Sequence, residues 1–380
     1  MSSSSTNSNS NIQSVFFNLK KLHRLIEPGA KLHPLEYPIL YSLGIWFVTV
    51  QGPWGDALRQ VALLNATRQV MLFIPVVQLP ALLTGHMSYV DIGWPAGLVL
   101  LSLNVAYHAD GGSDTRIRLL SGVLFLHGLR MFLGALHMLY PYRWPKEFFS
   151  RYQYAKDRWI SQTGGAAGWT LKQQHDTLLQ AYANSVPLAA PVFLAATNPR
   201  TTVHPLEVLG AMGWLVSWCM ENWADVSKKM WELEANKKGN EHYKDIVLGF
   251  QPPHNQGKYV LWGLSRHPNY FFEWTCWLSI VGMAIPSAMD LMMSPEQPAT
   301  AKLGVVLVLI SAPRLFYDCL LYWTGAAPAE SRSIQRRPNY KEYQKTTNVF
   351  FPFSMPVLNH HRTPGWPLVD DRPLLDDRKS

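Results

Sequence analysis

Cysteine is scarce in this chain. Only Cys219, Cys276 and Cys319 occur among 380 residues. All three lie inside apolar runs and none has metal-ligand spacing. That excludes a secreted disulfide framework and a zinc module, so they read as buried, reduced core residues and no metal is expected. No Walker loop and no nucleophile elbow occurs. No apolar segment comes after the Ser/Asn-rich stretch Met1 to Asn11, which excludes a secretory leader there. The longest apolar runs lack a polar residue at every third or fourth position, which excludes a soluble all-α protein. Lys and Arg total 34 against 26 Asp and Glu, a net charge of +8. They are not spread along one face or one domain, so the basic balance does not imply nucleic acid. No internal repeat occurs.

What is present is apolar. Hydrophobic residues make up 48 % of the chain, and they gather into runs that approach the ~20 residues needed to cross a bilayer. Such runs are Leu119 to Tyr140, Thr177 to Ala196, Leu206 to Ala224, Tyr270 to Ile285 and Leu303 to Trp323. Weaker ones are Tyr37 to Val50, Gln69 to Thr84 and Ile92 to Tyr107. The fold expected is therefore all-α: a polytopic transmembrane helical bundle of about six to eight spans. Its cytoplasmic loops would cap a cofactor site. Lys and Arg collect before the first run and after the fourth, sixth and eighth. The positive-inside rule then places both termini and the two long loops in the cytoplasm.

Along the chain, residues 1–11 are expected to be disordered. Residues 12–28 read as an amphipathic interfacial helix. Ile12, Val15, Phe16, Leu19, Leu22 and Ile26 share one face, opposite Lys20, Lys21 and Arg24. Too few Arg occur there for a mitochondrial presequence, so an endoplasmic reticulum or other endomembrane location is expected. Residues 37–353 form one membrane domain, and 354–380 an extended surface tail. The loop from Pro141 to His175 contains Thr163 to Gly168, whose glycines come after no strand and read as a linker, not a phosphate cradle. The loop from Asp225 to Lys258 is expected to begin as a helical extension.

Polar groups inside apolar runs are costly and point to function. Arg130 lies in the fourth run, near His127 and His137. Glu221 and Asp225 end the sixth, one turn apart. Like charges at that spacing repel and call for a cation or a hydroxyl-bearing ligand between them. Arg314 and Asp318, also one turn apart in the eighth, read either as an ion pair satisfied within itself or as part of a site.

The densest cluster is Ser265-Arg266-His267-Pro268-Asn269-Tyr270-Phe271-Phe272-Glu273, at the start of an apolar run. Arg can fork onto phosphate, and an amide with a carboxylate can take ribose or nicotinamide hydrogen bonds. Otherwise the charges snorkel into headgroups. A second cluster, Glu330, Arg332, Arg336 and Arg337 with Pro338-Asn339-Tyr340-Lys341-Glu342-Tyr343 after it, reads as a lipid anchor or a phosphate-binding cap.

Trp262, Ser265 to Tyr270 and Glu273 resemble a signature of the DUF1295 membrane proteins, of the steroid 5-alpha-reductase C-terminal family. Arg336-Arg337-Pro338-Asn339-Tyr340 with Glu342-Tyr343, and Phe351-Pro352, resemble the segment beyond the last helix in that family. Ser88 to Asp91 with Trp94, Gly128 to Arg130, Arg151-Tyr152, Gln180, and Glu221 with Asp225 and Lys228 match in order. The resemblance covers roughly Gln69 to Phe353. It implies a helical bundle whose C-terminal half binds NADPH, which delivers hydride to a C=C bond of a lipid. Asn269 and Glu273 would hold the nicotinamide or ribose end, and Asp225, Arg266, Arg332 and Arg336 the ribose and phosphates. His267 and Tyr270 belong to the same cofactor-binding set. Phe272 stands where Gly is usual, and Gly263-Leu264 where Arg-Tyr is common. His127 stands where steroid reductases have Tyr and many family members Trp.

The expected activity is an integral membrane, NADPH-dependent reduction of an enone or alkene in a steroid/sterol-like or other lipid substrate. His127, Tyr107 and Tyr140 are the candidate proton donors, in that order. The alternatives are an S-adenosylmethionine-dependent membrane methyltransferase of the isoprenylcysteine/phospholipid type and a non-enzymatic lipid-binding protein. No nucleic-acid partner is expected, and oligomeric state is left open.

Overall fold

The computed structural model describes residues 42, 44–46, 55–139, 150–237, 259–337, 339–353 and 361–362. The chain divides into two units, Met1–Pro38 and Ile39–Ser380, and every described residue belongs to the second. Residues 1–11, the helix expected at 12–28 and most of the run at 37–50 lie outside the described residues. So do 140–149, 238–258 and most of 354–380.

Helix accounts for 83 % of the described residues, and no strand occurs among them. In chain order the helices are α1 Gly55–Thr84, α2 Met87–His108 and α3 Asp114–Leu139. Then come α4 Ser150–Thr163, α5 Trp169–Ser185, α6 Ala189–Ala196 and α7 Pro205–Ala235. The remainder are α8 Val260–Leu264, α9 Pro268–Met293, α10 Ala299–Asp318, α11 Ala326–Arg336 and α12 Tyr340–Thr346. Among the described residues, six helical segments are long and apolar enough to cross a membrane: α1, α2, α3, α5 with α6, α9, and α10 with α11. Their outer faces carry exposed apolar side chains such as Leu63, Met71, Leu83, Met293 and Ile310. In water such surface would be costly; in lipid it is the expected solvent-facing side. The protein is an integral membrane helical bundle.

Several sequence expectations are corrected. The weak run at Gln69 begins in fact at Gly55. Its polar residues bond between helices: Arg68 donates to Asn104 Oδ1, Asn65 to the Asn184 carbonyl and Gln69 to the Gly97 carbonyl. The fifth run breaks between α5 and α6 at Val186 to Leu188, where Pro187 supplies no N–H. The loop from Pro141 is not a plain loop, because α4 occupies much of it and Thr163 to Gly168 forms the turn into α5. The sixth run folds as α7 but is not among the helices apolar enough to span, since Glu207, Glu221 and Asn222 interrupt it. α7 does continue past Asp225 to Ala235. At His361 the tail is not on the surface. His361 is fully buried, stacked on Phe351 at 5.7 Å, and Arg362 Nε donates to Asn348 Oδ1 at 2.8 Å.

Two close approaches set the frame of the interior. α7 lies along α9 and α2 along α3. A Cβ on Gly210 would stand 2.6 Å from Met283 Cγ and 2.9 Å from the Ser279 carbonyl oxygen. A Cβ on Gly128 would stand 2.9 Å from both Leu98 Cβ and the Val99 backbone nitrogen. Gly128→Ala must push α3 from α2, at a cost of about 1–3 kcal/mol. The expected result is a lower melting temperature in detergent; an unchanged one would show that the helices separate freely.

At one end of the bundle, Arg116 is fully buried. Its Nε donates to Glu207 Oε1 at 2.8 Å, and its other nitrogens to the carbonyls of Asn198, Arg200 and Thr202. Arg200 joins Glu207 to Asp290. The structure makes Arg116 a lock between α3, α7 and the segment that joins α6 to α7.

Candidate functional site

The polar groups that interrupt α3, α7 and α9 meet one another inside the bundle. His127 and Arg130 are one turn apart on α3, and both turn toward α7 and α9. Arg130 Nε donates to Asn222 Oδ1 at 2.6 Å. Its two terminal nitrogens reach Glu221 Oε1 and Asp225 Oδ2. The cation called for between Glu221 and Asp225 is therefore Arg130, contributed by another helix. Asp225 accepts a further hydrogen bond from Asn269 Nδ2 at 3.1 Å.

His127 Nε2 lies 3.1 Å from Glu273 Oε1, and Trp277 Nε1 donates to that same oxygen at 3.1 Å. His127 Nε2 is thus engaged by Glu273, and Nδ1 is left without a hydrogen-bond partner. His127 is fully buried and Glu273 5 % exposed. The ring of Trp277 meets His127 edge-on at 5.9 Å. Trp214 and Trp218 stack at 5.6 Å beside it. Among the described residues, six polar atoms of this cluster have no hydrogen-bond partner: His127 Nδ1, Glu221 Oε2, Asn269 Oδ1, Glu273 Oε2, Trp214 Nε1 and Trp218 Nε1. Buried polar atoms seldom stay unpaired, so unpartnered ones in one network mark a place for a ligand.

The other half of the motif is used differently. Arg266 is 1 % exposed. Its Nε and Nη2 fork onto Glu330 at 2.7 and 3.1 Å, and Nη1 donates to the carbonyls of Gln344, Thr347 and His361. His267 Nε2 lies 3.0 Å from Glu330 Oε1, and Gln344 Nε2 donates to Glu330 Oε2 at 2.6 Å. Burial pulls the His267 imidazole below its usual range, against the opposing pull of Glu330, so Nε2–H donates. Tyr343 gives its hydroxyl proton to the carbonyls of Trp262 and Ser265, and burial pushes that phenol up. The backbone beside it pairs in one parallel bridge, Ser265 with Asn348. The guanidinium of Arg266 therefore holds α9 to α11, α12 and the segment after them. It does not face a ligand. Tyr270 stacks on His267 at 5.0 Å. Arg332 and Arg336 lie exposed on α11.

Of the two described candidate proton donors, His127 is placed in the cluster and Tyr107 is not. Tyr107 is 78 % exposed near the end of α2, because that residue falls on the outer face of the helix. Tyr140 lies outside the described residues. Asn222, Trp277 and Cys276 were missed as site residues. Asn222 is adjacent to Glu221, a signal that was present; Trp277 and Cys276 looked like ordinary core. Arg314 Nε donates to Asp318 Oδ2 at 2.8 Å, an ion pair within one helix. Elsewhere Tyr152 donates to Asp91 at 2.7 Å, and Arg151 pairs with the same carboxylate.

The residues present suit the amide and hydroxyl end of a nicotinamide dinucleotide. Asn269 Oδ1 and Glu273 Oε2, one turn apart on α9, are unsatisfied acceptors for a carboxamide N–H2 or a ribose hydroxyl. Asp225 is half-exposed beside them, with its side chain 44 % accessible. Arg266 and His267 do not suit its phosphates; the exposed Arg332 and Arg336 do.

Residues 79–347 match the family described as "Protein of unknown function (DUF1295)". No curated protein and no solved structure matches the chain.

Proposed function

This chain belongs to the DUF1295 family, and from that premise we propose that it is a membrane reductase. It would use NADPH to reduce a C=C bond in an enone or alkene of a steroid/sterol-like or other lipid, within the endoplasmic reticulum or another endomembrane. The observation that supports the reading is the buried network of His127, Glu221, Asn269 and Glu273 with its unpartnered acceptors. NADPH supplies hydride when bound.

The chain's own residues orient, shield and polarise. Asn269 and Glu273 orient an amide-bearing ring through Oδ1 and Oε2. Trp214, Trp218 and Trp277 make the surround apolar and exclude water, which strengthens every charge inside. His127, held by Glu273 through Nε2, is the candidate group to polarise a substrate carbonyl. The lipid reaches it from the bilayer, the phase in which the six apolar helical segments lie.

Asn269→Ala and Glu273→Ala should each weaken NADPH binding by about 1–3 kcal/mol, since each removes a buried hydrogen-bonding partner. The measurement is the melting shift of detergent-purified protein titrated with NADPH and, separately, with S-adenosylmethionine. Equal NADPH shifts in wild type and both variants would reject the assignment. A stabilising shift with S-adenosylmethionine alone would favour a methyltransferase.

A further inference from the structure

His127 on α3, Glu221 on α7 and Cys276 on α9 each bring one ligand-type atom to a common point, all within 4.8 Å of one another. The three residues are 0 %, 5 % and 0 % exposed. Two of them also carry a buried polar atom without a hydrogen-bond partner, His127 Nδ1 and Glu221 Oε2. The Cys276 thiol has only a long contact, 3.9 Å to the Trp214 carbonyl oxygen. We propose that these three residues bind a divalent transition-metal ion, and a mixed imidazole, carboxylate and thiolate set is chemistry that suits zinc.

The surroundings are those a metal site needs. A metal-bound histidine characteristically gives its other ring N–H to a carboxylate, which fixes the tautomer and raises ligand basicity. Glu273 does this for His127, and Trp277 in turn holds Glu273. Arg130 holds the remaining oxygen of Glu221. With Nε2 engaged, Nδ1 is the ring nitrogen without a partner, and a metal would take it as a lone pair.

On binding a divalent ion, Cys276 would release its thiol proton to solvent and bind as the thiolate.

Ligand atoms around tetrahedral zinc lie about 3.4–3.6 Å apart, given bonds of about 2.0–2.3 Å. The trio must close by about 1 Å from its widest separation, which small χ rotations of Glu221 and Cys276 supply. Three protein ligands leave a fourth position open, as in catalytic rather than structural zinc sites. That position would take a water or a substrate carbonyl oxygen. Metal binding does not rest on the reductase reading; only this use of the fourth position does.

The test uses full-length protein, purified in detergent without a histidine tag after growth with zinc. Elemental analysis should find stoichiometric metal in wild type and in Cys219→Ser, whose cysteine is exposed. Cys276→Ser and Glu221→Gln should lose it. After chelation and reloading with cobalt(II), wild type should show a thiolate-to-cobalt charge-transfer band that Cys276→Ser lacks. Wild type without metal after incubation with zinc would overturn the proposal, as would Cys276→Ser keeping both its metal and the band. If Glu221→Gln does not fold, the near-isosteric Cys276→Ser decides. NADPH melting shifts on the same samples separate the two readings. A shift without metal leaves the reductase standing and removes the site; metal without a shift does the reverse.

Discussion

Arg266→Ala should lower stability by about 3–5 kcal/mol, because it strands Glu330 as a buried anion without its cation. Both side chains are fully buried. The same substitution also strips a donor from the carbonyls of Gln344, Thr347 and His361. The expected readout is a steep fall in melting temperature in detergent with no cofactor added. A variant that melts like wild type and loses only its NADPH shift would mean that Arg266 binds phosphate instead of holding the cap. Arg336→Ala is the matching control. Arg336 is exposed on α11, so its loss should leave the stability within about 0.5 kcal/mol of wild type.

The second large effect is on turnover. In the proposed reductase His127→Phe removes the candidate proton donor, and catalysis by such a group is worth about 10²–10⁴-fold. NADPH oxidation with a lipid enone should fall by about that factor. The NADPH melting shift should persist, since Asn269 and Glu273 remain. Tyr107→Phe should turn over at the wild-type rate, because Tyr107 is on the outer face of α2. A His127→Phe variant as active as wild type would make His127 a packing residue and move the search to another helix.

The site was half legible. His127 with Arg130 and Glu221 with Asp225 stand out because polar groups in apolar runs are rare, and helical spacing says which share a face. Nothing in that spacing says that Arg130 would neutralise two carboxylates of another helix. The Ser265 to Glu273 motif was read as one binding cluster, yet it divides at the start of α9. Arg266 and His267 precede the helix and turn to Glu330; Asn269 and Glu273 lie within it and turn to Asp225 and His127. Cys276 gave no sign in the sequence, because metal ligands drawn one from each of three helices show no spacing.

By itself, the sequence determined that this is a helical membrane protein with a polar interior at the level of α3, α7 and α9. Run length and the cost of an unpaired backbone group in lipid are local properties, so they can be read along the chain. The tertiary structure decided which charges pair with one another and which keep an unpartnered atom. A buried ion is tolerable only with a partner, and the partners here lie 64 residues apart for Arg266 with Glu330 and 146 for His127 with Glu273. Packing at Gly128 and Gly210 sets how closely the helices approach, and so which of those distant groups come within hydrogen-bond reach.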